Sequence, residues 1–282
     1  MHNTQERVKT LLDALPFIKK FNKEIIVIKY GGAAQTSDTL KEKFARDVVL
    51  LSLVGMKPVI VHGGGKSITG MLEKLGVQSR FVDGQRVTCI DSIKIAEMVL
   101  SGEINKEIVS LLSNFGAKAI GISGKDGNLI EARAKDFESF GYTGDVESVN
   151  PDIVENILND GYIPVIAPIA SSSEIGHPGF NINADIAASK VAIALEARKV
   201  LFLTDTAGVL DGEGKLLTKL SVEQTDKLIE DGTIYGGMVP KVSACLDAIK
   251  GGVKKAHIID GRVEHSLLLE ILTSEGIGTC FE

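Results

Sequence analysis

Two hydrophobic patterns alternate along this chain. Short uninterrupted apolar runs, such as Ile25-Ile26-Val27-Ile28 and Val200-Leu201-Phe202-Leu203, predict strands covered on both faces, as in a parallel sheet. Between them apolar residues recur every three or four positions, the mark of amphipathic helices. Strands are expected over 24–32, 57–61, 119–122, 163–168, 199–205, 256–259 and near 278–281. Helices are expected over 4–21, 38–54, 66–75, 91–101, 103–115, 184–197, near 221–231 and over 263–274, with another opening at Asn150-Pro151. Pro16 should bend or end the first helix near its middle. Pro164 and Pro168 suggest that their strand lies at an edge or has a bulged end. Residues 128–148 read as extended, with hairpin signals. The whole predicts an α/β protein: an open, mainly parallel sheet sandwiched between helices. Ligands of such sheets bind beyond the carboxyl ends of the strands.

One such end stands out. The run Val59-Ile60-Val61-His62 stops at Gly63-Gly64-Gly65, and a helical pattern follows. Without side chains, the N–H groups of Gly63, Gly64 and Gly65 can converge on an anion, and the helix behind them adds its positive end. A tight strand-to-helix turn is the plainer reading, although one glycine usually suffices for that. Gly65-Lys66-Ser67 imitates the end of a P-loop, but the first glycine of that motif would fall on Ile60. The dinucleotide fingerprint fails too, because its third glycine would fall on Ile68.

Other strand ends carry related chemistry. Lys29 closes a buried apolar run and is followed by Gly31-Gly32. Asn181, Asn183 and Asp185 alternate at the start of an alanine-rich helix; one of them would serve as a cap. Thr204-Asp205 leads into a polar loop reaching Gly208, Val209 and Leu210. Gly236-Gly237-Met238 precedes a helix with Lys241 in its first turn, where a cation opposes the helix dipole unless an anion sits nearby. Arg86 falls in an irregular stretch, where it either forks onto a carboxylate or is solvated.

Composition narrows the class. The chain has 282 residues, is 44% hydrophobic and contains 30 glycines, enough for one large α/β domain with many tight loops. A formal net charge of -6 argues against nucleic acid and against a membrane surface as partner, leaving a small anion that a local basic cluster would hold. Cys89, Cys245 and Cys280 show neither metal spacing nor a disulfide framework, and the five histidines form no cluster, so no metal site is expected in the protein. No apolar run approaches the ~18 residues of a membrane span, and charges near the N-terminus interrupt any signal-peptide core. A cytoplasmic location is expected. Lysines, an arginine, glycine nests, an aspartate and asparagines suit phosphoryl transfer, which asks for positioning and charge neutralisation. A carboxylate acceptor would need no general base, being ionised at neutral pH.

At this point the motifs Ile28-Lys29-Tyr30-Gly31-Gly32, Val61-His62-Gly63-Gly64-Gly65, Arg86-Val87-Thr88, Asn181-Ile182-Asn183-Ala184-Asp185, Leu203-Thr204-Asp205 with Gly208-Val209, and Gly236-Gly237-Met238 with Pro240-Lys241 resemble the amino-acid kinase family over essentially the whole chain. Within it, they look like the branch acting on N-acetyl-L-glutamate. The resemblance implies ATP-dependent phosphorylation of that substrate's side-chain carboxylate, with Mg2+ held mainly by phosphates and water. It assigns catalysis to Lys29 (transferring phosphoryl), Lys241 (nucleotide phosphates) and Asp185 (holding both lysines). Gly64, Gly65, Arg86 and Asn181 would bind the acceptor, and Gly32, Thr204, Asp205, Gly208, Leu210, Thr233 and Met238 the nucleotide. Residues 22–282 would form a single domain, with 22–180 mainly the acceptor lobe and 181–282 mainly the nucleotide lobe. Lys66 stands where the family often has proline, adding a charge near the anion site.

The chain ends resemble the arginine-inhibited class of the same family. Residues 1–21, with Ala14-Leu15-Pro16-Phe17, would be an oligomerisation and regulatory helix joining dimers into a hexamer, a trimer of dimers. Phe17, Lys199, Glu270 and Gly276 match positions lining the L-arginine effector site. A plain packing helix is the other reading of that N-terminal segment. Another carboxylate kinase acting on aspartate, glutamate or N-acetylaminoadipate, or an arginine-sensing protein without catalysis, remain as alternatives.

Overall fold

A computed structural model describes residues 2–35, 37–82 and 84–282. Its centre is a sheet of eight strands: β1 (Ile25–Tyr30), β2 (Lys57–His62), β3 (Ala119–Ser123), β4 (Ile163–Ala167), β5 (Lys199–Thr204), β6 (Lys219–Leu220), β7 (Lys255–Asp260) and β8 (Thr279–Phe281). Their order is β6-β8-β7-β5-β1-β2-β4-β3, and all neighbours run parallel except β7 with β8. From β1 the chain first builds outward through β2, β4 and β3, then returns to the other flank with β5. That reversal opens a crevice beyond the carboxyl end of β1, the standard ligand position of such sheets.

Alternate residues of each strand feed opposite faces. Val27, Val59, Val61, Val200 and Phe202 pack with Ala187, Ala188, Val191 and Ala192 of the helix Ala184–Ala194 on one side. Ile26, Ile28, Tyr30, Ile60, Leu201 and Leu203 pack with Val48, Leu51, Ile93 and Leu112 on the other. Both sets are buried, which is why the strands read as continuous apolar runs.

Three local expectations change. The helix His2–Phe21 runs through Pro16 without ending there. Proline can donate nothing to the carbonyl of Leu12, but the exposed flank at Leu12 lets water take that role. Residues 91–115 are not two helices: Ile90–Glu97, a π-helical segment Met98–Ile104 and Asn105–Asn114 follow without a break, and Gly102 sits inside the run. The strand with Pro164 is interior, flanked by β2 and β3. It escapes the proline penalty because its ladder to β2 begins only at Val165, opposite Ile60, and Pro168 lies past its last residue. The hairpin signals over 128–148 do correspond to an antiparallel pair, Ile130–Ala134 with Gly144–Val149.

Candidate active site

Three loops meet at the crevice: the one leaving β1, the one leaving β2 and the turn into the helix Ala184–Ala194. Asn183 caps that helix, its Oδ1 accepting from the N–H groups of Asp185 (2.8 Å) and Ile186 (3.3 Å). The cap sets Asp185 in the first turn, where a carboxylate suits the dipole. Its Oδ1 lies 2.9 Å from Lys29 Nζ and its Oδ2 accepts from Lys241 Nζ at 3.0 Å. Lys29 and Asp185 are both buried. Burial alone would raise the Asp185 pKa, but the two ammonium groups outweigh it and hold the carboxyl below its ordinary range. The anion foreseen at the Lys241 helix start is therefore, within the chain, Asp185. Two cations against one anion leave the trio with an excess positive charge in a chain of formal net charge -6. At Gly31 a side chain would sit 3.2 Å from Lys29 Nζ, so glycine leaves the ammonium its space.

The triple glycine divides its labour. Gly63 is not part of an open nest: its N–H donates to the Tyr30 carbonyl at 2.8 Å, stitching the two loops together. The N–H groups of Gly64 and Gly65 have no acceptor among the described residues and stand at the start of the helix Gly65–Lys74. A side chain on Gly64 would run into Ile104 Cδ1 (2.3 Å) and Leu100 Cδ2 (2.6 Å), both brought there by the π-helical segment. Arg86 is buried at the cleft wall, bonded through Nη2 to the Gly65 carbonyl (2.9 Å) and Thr69 Oγ1 (2.8 Å), through Nη1 to Ser79 Oγ, and lying over the Phe81 ring. No carboxylate faces it among the described residues, and burial lowers its pKa. Asn181 Nδ2 approaches Thr88 Oγ1 at 3.4 Å.

Lys29, Gly32, Gly64, Gly65, Arg86, Asn181 and Asp185 line one cavity of about 220 Å³. Gly32 thus groups with the acceptor candidates rather than with the other nucleotide candidates. Thr204, Asp205, Gly208, Leu210, Thr233, Met238 and Lys241 line a second cavity of about 860 Å³. The Asp185 carboxylate joins them, holding a lysine from each. Gly208 has φ +145° and a Cβ there would meet Thr279 Oγ1 at 2.6 Å, so its loop folds against β8 only with glycine. Phe17, Lys199, Glu270 and Gly276 line a third cavity of about 340 Å³ between the first helix and the C-terminal segment.

A profile of the Amino acid kinase family matches residues 24–260. The chain belongs to the amino-acid kinase family. It is 72% identical over 275 residues to the acetylglutamate kinase of a Sulfurovum species, covering 98% of this chain and 97% of that one. The acetylglutamate kinase of a Nitratiruptor species is 67% identical over 96% of both chains. Among solved structures, N-acetylglutamate synthase from Neisseria gonorrhoeae, complexed with coenzyme A and N-acetyl-glutamate, superposes with a TM-score of 0.85 at 26% identity. That match covers 97% of this chain and 63% of the synthase. Carbamate kinase from Giardia lamblia shares the fold at 17% identity, with a TM-score of 0.69.

This family member also carries contacts the linear motifs did not single out. Asp211 and Asp231 line the larger cavity. His257 Nδ1 lies 2.8 Å from Glu270 Oε1 in the third cavity, beside Lys199 Nζ at 3.3 Å from the same oxygen. His62 is buried behind the glycines; burial pushes its pKa down to about 4 and keeps the ring neutral. Only its place beside the glycines could have drawn attention to it; its side-chain partner Asn105 is distant in sequence.

Proposed function

We propose that this protein transfers the γ-phosphoryl group of ATP to the side-chain carboxylate of N-acetyl-L-glutamate. A carboxylate oxygen attacks the γ-phosphorus, the bond to the β–γ bridging oxygen breaks, and ADP leaves with that oxygen's electron pair. The products are N-acetylglutamyl 5-phosphate and ADP. The observation that carries the reading is Asp185 fixed between Lys29 and Lys241 where the two cavities meet. The acceptor follows the near full-length relatives named acetylglutamate kinase.

The chemistry is charge management. The attacking carboxylate is ionised at neutral pH, so no base is needed. Repulsion between acceptor and phosphates is the barrier, and ammonium groups in a water-poor cleft lower it where charge builds up. Lys29 serves the migrating phosphoryl and Lys241 the phosphates of the departing nucleotide. Asp185 holds one ammonium group on each carboxylate oxygen and stays ionised doing so. Arg86, engaged within the chain by Gly65, Thr69 and Ser79, would turn its fork onto the acceptor's α-carboxylate, assisted by Asn181, and the Gly64 and Gly65 N–H groups face the transferred group. Thr204, Asp205, Gly208, Leu210, Thr233 and Met238 hold the nucleotide. The division into an acceptor half (22–180) and a nucleotide half (181–282) follows the same assignment. No group of three or more His, Cys, Asp or Glu residues converges among the described residues, which fits Mg2+ carried by the nucleotide's phosphates and water. The ion would offset phosphate charge there.

Regulation by L-arginine belongs to the same reading. Phe17, Lys199, Glu270 and Gly276 come from both ends of the chain into one cavity. Val8, Leu11, Leu12 and Leu15 of the first helix are exposed, an apolar stripe suited to a second copy of that helix and hence to a hexamer built from dimers. Both points are tested together with the reaction. A coupled assay with N-acetyl-L-glutamate, aspartate, glutamate and N-acetylaminoadipate should show the first as the preferred acceptor by kcat/KM. L-arginine should inhibit. Deleting residues 1–21 should abolish both inhibition and the hexamer on a sizing column; a truncated chain that stays inhibitable refutes the regulatory part alone.

A further inference from the structure

The peptide between Gly63 and Gly64 is flanked by glycines on both sides. Such a peptide can flip with little steric resistance, since neither neighbour has a Cβ. If its N–H is to serve as a preset donor, something must hold the plane. In a trans peptide the carbonyl and the following N–H point in opposite directions, and no peptide among the described residues is cis. Whatever grips the Gly63 oxygen therefore aims the Gly64 N–H the other way.

Two side chains grip it. Gln35 Nε2 donates to the Gly63 oxygen at 3.3 Å and also to the Tyr30 oxygen at 3.3 Å. His62 Nδ1 donates to the Gly63 oxygen at 3.0 Å. The His62 ring is held in turn. Its Nε2 lies 3.3 Å from Asn105 Nδ2, which shares its two N–H bonds between that nitrogen and the carbonyls of Val165 (2.9 Å) and Ile122 (3.2 Å) on two neighbouring strands. Asn105 follows directly on the π-helical segment, whose Leu100 and Ile104 press against Gly64 from the far side. The arrangement is asymmetric: the carbonyl has two donors and the Gly64 N–H has no acceptor within the described chain.

We propose that Gln35 and His62 are positioning residues for phosphoryl transfer: together they clamp the Gly63 carbonyl so that the Gly64 N–H stays aimed into the cleft at the migrating phosphoryl group, with Asn105 steadying His62. This rests on the phosphotransferase reading of the cleft. Neither side chain touches the reacting atoms; each acts through the peptide it holds. Free energy that would otherwise go into orienting the donor during the reaction is spent on folding.

The test uses the full chain and the variants Gln35→Met, His62→Leu and His62→Asn, assayed with ATP and N-acetyl-L-glutamate. Gln35→Met and His62→Leu should lower kcat about 10- to 100-fold with KM for ATP unchanged within about twofold. His62→Asn, whose amide N–H can stand in for ring Nδ1–H, should recover most of the loss. If His62→Leu does not fold, half-buried Gln35 carries the kinetic test. The Gly64 amide resonance, followed by NMR on glycine-labelled protein, should be single in the parent and shifted or broadened in Gln35→Met. An unchanged Gly64 resonance, or wild-type kcat in both variants, overturns the clamp. A parent protein inactive on N-acetyl-L-glutamate would overturn the proposed reaction instead, and the resonance then judges the clamp by itself.

Discussion

Two buried clusters of a carboxylate between nitrogen bases sit at opposite ends of the same sheet. Beyond the carboxyl ends, Asp185 lies between Lys29 and Lys241. At the amino ends, Glu270 lies between Lys199, which opens β5, and His257. They differ in charge balance. The His257 pKa is lowered by burial despite its bond to Glu270, so Lys199 and Glu270 cancel and the cluster is near neutral. The Asp185 trio keeps an uncompensated cation and has Arg86 nearby without an acidic partner. A cluster that neutralises itself can be a closed structural unit or receive a ligand of little net charge. One left positive in a buried cleft is waiting for an anion. On our reading the same three-group pattern serves polyanion chemistry at one end and, at the other, L-arginine, whose carboxylate, ammonium and guanidinium sum to a single positive charge.

The contrast breaks first under lysine removal. Lys29→Ala or Lys241→Ala should cost about 10³-fold in kcat with a native thermal transition, whereas Lys199→Ala should leave uninhibited turnover within about twofold. Equal losses at both ends would erase the distinction. Stability should show the reverse. Glu270→Gln leaves Lys199 buried without its counter-ion and should cost about 3–5 kcal/mol in urea unfolding, while remaining folded protein still turns over.

The two buried histidines sharpen the comparison. His62, with no carboxylate facing it among the described residues, titrates at about 4 in the fold against about 6.5 unfolded. Below pH 6.5 the unfolded chain binds the extra proton, so stability falls as pH drops toward 4, by about 3 kcal/mol from this group. Glu270 partly offsets the same effect at His257. Unfolding measured at pH 7, 5.5 and 4 should therefore lose more of its slope in His62→Asn than in His257→Asn; the opposite order refutes the assignment. The smallest effect expected is at Arg86, the proposed acceptor fork. Arg86→Lys keeps charge but not the fork, and should raise KM for the acceptor by roughly 30-fold, about 2 kcal/mol, with KM for ATP unmoved.

Much of this was legible beforehand because close-range rules governed it. Lys29 ends a run whose continuity comes from burial on both faces, and Asn183 caps the helix that presents Asp185 two residues on. Local patterning failed where a distant partner decided the outcome. Gly102 does not break its helix because the π-helical turn packs Leu100 and Ile104 against Gly64. Pro164 is interior because β2 pairs only beyond it.

The chain's own sequence thus determined the elements, the sheet class and the residue types gathered at the strand ends, since these follow from periodicity, caps and backbone freedom over a few residues. Only the tertiary structure decided which glycine N–H groups stay free, that Gly32 lines the smaller cavity, and that Gln35, His62 and Asn105 hold one peptide plane. Those outcomes depend on directions of single bonds between segments tens of residues apart, and no local pattern encodes them.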